Sequence, residues 1–116
     1  DPRMPSPETI AQMLTEWVDP VTDEPPGTSY RLYPTPSRGA NTQGSYLIYL
    51  PASYGQNSNK RFPVLYWLHG GFGNARQGAW AVQYYDIAMR KKTMPEVIIV
   101  LVFTTVHFLV PIYSVI

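Results

Sequence analysis

The chain has 116 residues and a net charge of +1 from nine basic and eight acidic side chains; 45% of it is hydrophobic, 15% charged, and it has no cysteine. That size suits one ordinary domain with a modest core, and the composition excludes a disordered chain. The near-neutral balance points to neither nucleic acid nor an acidic surface as partner, and the missing cysteines exclude disulfides, thiolate metal sites and a cysteine nucleophile.

The chain opens at Asp1 without a basic-then-apolar leader. Such a start fits a processed secretory protein or a trimmed one. The compartment stays open, with an extracytoplasmic one favoured. Eight of the twelve prolines fall in the first 36 residues, so this third reads as an arm of short elements joined by stiff turns. Within it Ser6-Pro7-Glu8 is a helix start: an N-cap, a proline at the first helical position and an acid in the first turn. Ile10, Met13, Leu14, Trp17 and Val18 then form one apolar stripe, which Asp19-Pro20 ends. A helix packed on its own domain explains that stripe better than a partner-binding face does.

Tyr30–Tyr33 predicts a short strand stopped by Pro34, and Ser45–Leu50 a stronger one closed by Pro51. Residues 51–61 (PASYGQNSNKR) form a polar turn region. Val64–Leu68 is a continuous apolar run, the mark of a strand covered on both faces. Trp80, Ala81, Tyr84, Tyr85, Ala88 and Met89 lie at helical spacing in 79–92. Arg90, Lys91 and Lys92 complement the negative end of that helix, a better reading than a basic binding patch. After Pro95, Val97–Val102 is a second buried strand. Strand, glycine-rich loop, helix and strand make one right-handed βαβ unit.

The loop in that unit is His69-Gly70-Gly71-Phe72-Gly73. Ligands of open parallel sheets sit beyond the carboxyl ends of the strands. Glycines there let the backbone approach a ligand, adopt positive φ and aim N–H groups at developing negative charge. A tight turn that needs glycine for conformation alone is an equal reading of the local pattern. A phosphate cradle fits neither the G-x-x-x-x-G-K-[ST] nor the G-x-G-x-x-G spacing, and no cofactor or metal is implied.

The combination YLIYLP…FPVLYWLHGG…W, followed by a helix and MPEVIIVLV, resembles the serine esterases of the α/β-hydrolase fold, over residues 28–102. The nearest group contains the esterase D-like and feruloyl-esterase-like enzymes. The resemblance implies an α/β fold: the N-terminal portion of an α/β-hydrolase sheet, with about four strands, one crossover helix and a helical arm. It divides the chain into that arm (1–27), the partial hydrolase domain (28–102) and an apolar tail outside the pattern (103–116). It implies that Gly71 or Phe72 N–H groups form part of an oxyanion hole, that His69 and Gly70 support the loop, and that the substrate is a small-molecule ester. Tyr66, Trp67, Phe72 and Trp80 are candidates for an aryl-ester site, although core packing explains most of them equally well.

The family's Gly-x-Ser-x-Gly elbow and later Asp/Glu and His are absent. None of Ser6, Ser29, Ser37, Ser45, Ser53, Ser58 and Ser114 stands in that pattern. His107 lies in an apolar run and reads as structure, and Asp86 in mid-helix reads as a surface or structural acid. The expectation is a fragment of a serine carboxylic-ester hydrolase that is inactive alone. Its rivals are a non-catalytic module completed by another chain and a small membrane-anchored protein. The stretch 97–116 is long enough to span a bilayer, but twelve of its twenty residues are β-branched and Pro111 interrupts it. A truncated or misread gene product is the favoured reading of the tail. The open edge FPVLYWL implies self-association or aggregation.

Overall fold

The computed structural model describes residues 6–8, 17–19, 23–70 and 73–103. The strands are β1 (Thr28–Pro34), β2 (Gln43–Tyr49), β3 (Val64–Leu68) and β4 (Ile98–Val102), with helix α1 (Ala79–Arg90) between the last two. They form one mixed sheet in the order β1-β2-β4-β3. β1 and β2 pair antiparallel, as do β2 and β4, while β3 and β4 run parallel. This is the α/β arrangement expected of the N-terminal portion of an α/β-hydrolase sheet. Pro7 and Glu8 are helical, but most of the predicted arm helix, residues 9–16, lies outside the described residues, as do 104–116 with His107.

The predicted strand and helix boundaries move in physically intelligible ways. β1 starts at Thr28, where Gly27 at φ 83° turns the chain, and β2 reaches back to Gln43 because the hairpin register carries it opposite Pro34. Hydrogen bonding thus extends both strands past their apolar runs. α1 stops at Arg90 rather than Lys92, since Lys92 has φ 60°.

Alternation along the strands sorts the side chains onto two faces. Leu47, Tyr49, Ile99 and Leu101 face α1 and form the core with Val82, Met89, Ala75 and Val97. Cross-strand neighbours put Tyr46, Ile48, Val100, Val102 and Tyr66 on the other face, where Tyr33 joins them around a shallow apolar concavity of about 430 Å³. β3 is the sheet edge, and its outer-face residues Tyr66 and Leu68 are both 66% exposed. The expectation that β3 is covered on both faces therefore holds on one face only among the described residues.

Candidate active site

β3 delivers the chain to the carboxyl end of the sheet at His69. Nδ1 of His69 stands 2.6 Å from the Gly70 carbonyl oxygen, so that nitrogen carries a proton and donates. The imidazole also packs against Phe103, with ring centroids 5.5 Å apart. Both contacts hold the ring beside the loop's own backbone. Gly71 and Phe72, the expected oxyanion donors, lie outside the described residues. The loop closes where the Gly73 N–H donates to the Gly70 carbonyl at 3.0 Å.

Gly70 does not have a positive φ. Close approach is what Gly73 provides: a Cβ there would stand 3.0 Å from the Gly70 carbonyl oxygen and would collide with the Gln77 side chain. Gly78 serves the same end further on. A Cβ at Gly78 would lie 2.6 Å from the Trp67 ring and 2.5 Å from Leu101. The missing side chain lets the 3₁₀ turn Ala75–Gly78 sit directly on the sheet before running into α1.

Asn74 is the N-cap of that turn, yet its side chain makes no cap hydrogen bond. Its Oδ1 is buried without a partner among the described residues. The Ala75 N–H donates to Oδ2 of Asp19, 56 positions earlier, at 3.3 Å. Asp19 itself is 3% exposed. Residues 17–19 run beside β2 past the end of β4: Trp17 bridges to Gly44, the Asp19 N–H donates to Ser45 Oγ at 2.7 Å, and the Tyr30 hydroxyl donates to the Asp19 carbonyl at 3.2 Å. This brings a buried carboxylate from the N-terminal arm to the loop end of the sheet. Sequence reading took Asp19 only as a helix stop, and no local pattern reveals its long-range partner.

Two other polar clusters lie apart from the loop. The Tyr49 hydroxyl donates to Asp86 Oδ1 at 2.6 Å, and Arg90 Nε donates to Oδ2 at 2.9 Å. The hydrogen bond from Tyr49 and then that from Arg90 hold the Asp86 carboxyl below its usual range. Burial, and then the bond to Asp86, push Tyr49 up to about 12. Asp86 is thus a structural acid joining α1 to β2. In the second cluster, Ser53 donates to Glu96 through both Oγ (2.6 Å) and its backbone N–H (3.1 Å), and Lys60 pairs with Glu96 at 3.4 Å. Those bonds, led by the Ser53 hydroxyl, lower the Glu96 carboxyl. Glu96 precedes β4, so this cluster marks the amino end of the parallel strands, the opposite end from His69.

The aromatic candidates separate. Tyr66 and Trp67 point to opposite faces of β3; Trp67 packs on the core, whereas Trp80 is 67% exposed on α1. No single cleft takes both Tyr66 and Trp67. No group of three or more His, Asp or Glu residues suited to a metal occurs among the described residues.

A mixed sheet whose parallel edge strand feeds a His-Gly-Gly loop and then a sheet-packing helix defines the class, an α/β-hydrolase-type fold. The family described as Putative esterase matches residues 37–104, more than half of the chain. The chain belongs to that family. It is also similar to a solved structure, a ferulic acid esterase, with a TM-score of 0.50 and 28% identity over 63% of this chain and 29% of that one. It therefore spans less than a third of that neighbour's length. No curated protein matches it.

Proposed function

We propose that the chain supplies the oxyanion-hole loop of a serine carboxylic-ester hydrolase, with backbone N–H groups of Gly71 and Phe72 as donors and His69 and Gly70 as loop support. The observation that carries this reading is that His69 and Gly70 follow the carboxyl end of a parallel strand and Gly73 leads into the turn and helix that pack on the sheet, in a chain of esterase family. Donors fixed in that place stabilise charge that appears on a carbonyl oxygen in the transition state, and they need no reorganisation as it forms. The 116 residues contain no Gly-x-Ser-x-Gly, so a nucleophile and base must come from elsewhere for turnover. The substrate is a carboxylic ester, and the likeness to a ferulic acid esterase favours an aryl acyl group.

The test is a chimera in which residues 62–78 replace the matching segment of an active ferulic acid esterase. Retained kcat on an aryl ester supports the reading. A folded chimera without activity overturns it.

A further inference from the structure

We propose that Asp19 is a positioning residue that fixes the trailing end of the His69–Gly73 loop, an inference that rests on the oxyanion reading of that loop. The leading end is set by β3, which is bonded into the sheet. Two residues past the trailing end is Ala75, 1% exposed, whose N–H begins the helical run 75–90. The first N–H groups of a helical run have no partner within it and need one from outside. At Ala75 the Asp19 carboxylate is that partner.

A buried carboxylate is costly unless it is hydrogen-bonded and matched by positive potential. The start of a helical run supplies both, through the Ala75 N–H and the positive end of its dipole. Asp19 is held independently of the loop, by Ser45 Oγ at its N–H and by the Tyr30 hydroxyl at its carbonyl. The sheet therefore locates Asp19, and Asp19 locates Ala75. β3 and Ala75 thus fix the chain on either side of the loop. A second tie from the arm, Arg76 to Asp23 at 2.9 Å, involves a carboxylate that is 74% exposed. Screened by water, that pair contributes little, and it serves as the internal control.

The test is amide hydrogen exchange, resolved by residue, on the full chain at dilute concentration. Asp19→Ala should speed exchange at Ala75 at least tenfold and raise it across 70–74, while Leu47 and Leu101 stay as in the parent. Asp19→Asn keeps an acceptor of the same shape and should restore most of the protection. Asp23→Ala should change nothing at Ala75. If Asp19→Ala does not fold, Asp19→Asn alone decides: a small rise confined to 70–75 supports the proposal. Exchange at Ala75 that is unchanged in every folded Asp19 variant overturns it, as does a rise spread evenly through the sheet. This readout reports the tether whether or not the loop binds an oxyanion, so failure of the oxyanion reading shows separately, in the kcat of the chimera.

Discussion

The hydroxyl of Tyr49 and the carboxylate of Asp86, 37 positions apart in sequence, meet at 2.6 Å and join the central strand β2 to helix α1. Tyr49 is 5% exposed, and its hydroxyl is spent on this one acceptor. A hydrogen bond to a charged group contributes roughly 1.5–3 kcal/mol.

Tyr49→Phe should therefore lower stability at neutral pH by about 1.5–2 kcal/mol, the lower part of that range because the Asp86 side chain is 25% exposed. The pH dependence has a defined sign on each side. The Asp86 carboxyl is lowered on folding, so its contribution is present above its unfolded value of about 4 and fades as pH falls through the lower folded value. Tyr49 is raised from 10.0 to about 12, so its contribution is present below 10.0 and fades as pH rises toward 12. Urea unfolding of parent and variant should show a difference that is largest between these limits and shrinks outside them.

Gly78→Ala should destabilise the chain although alanine is the better helix former by about 1 kcal/mol. Gly78 has φ −86°, which alanine adopts without strain. The added methyl nonetheless meets Trp67 and Leu101, and overpacking typically costs about 1–3 kcal/mol. Thermal unfolding should show a lower midpoint; a raised one would mean the turn can lift from the sheet freely.

Self-association should run through β3. Its outward residues Val64, Tyr66 and Leu68 are apolar and exposed, and an edge without charge is a template for strand addition. Sedimentation of the 116-residue chain should be concentration-dependent, and Tyr66→Lys should suppress that dependence. A parent chain that stays monomeric at all concentrations would refute this.

The isolated chain should hydrolyse p-nitrophenyl acetate no faster than its His69→Ala variant. Labelling by a fluorophosphonate, abolished by prior denaturation, would show instead that one of its serines is an activated nucleophile.

The apolar runs at 45–50, 64–68 and 97–102 announce their strands because burial and extended geometry select the same β-branched and aromatic residues. The helix at 79–90 is legible from its stripe and its basic end. Tyr66 and Trp67 are adjacent in the sequence, and period-two alternation already forbids their sharing a cleft; grouping them as aromatics overlooked this. Asp19, Ser45 and Ala75 carry no motif. Their association depends on where three segments meet at the end of the sheet, which composition and spacing do not encode. The same is true of Tyr49 with Asp86, where only the tertiary packing distinguishes a structural acid from a solvated one.

The central claim is that backbone N–H groups of the loop act on the transition state. Its most direct test is kcat and KM in the esterase chimera carrying residues 62–78, with the N–H of Gly71 and then of Phe72 replaced by an ester oxygen. Loss of one oxyanion donor costs about 2.7–4 kcal/mol, a fall of roughly 10²–10³ in kcat. The account predicts that fall for at least one of the two positions with KM nearly unchanged. A rise in KM with kcat intact at both would contradict it, and would make the loop a substrate-binding turn.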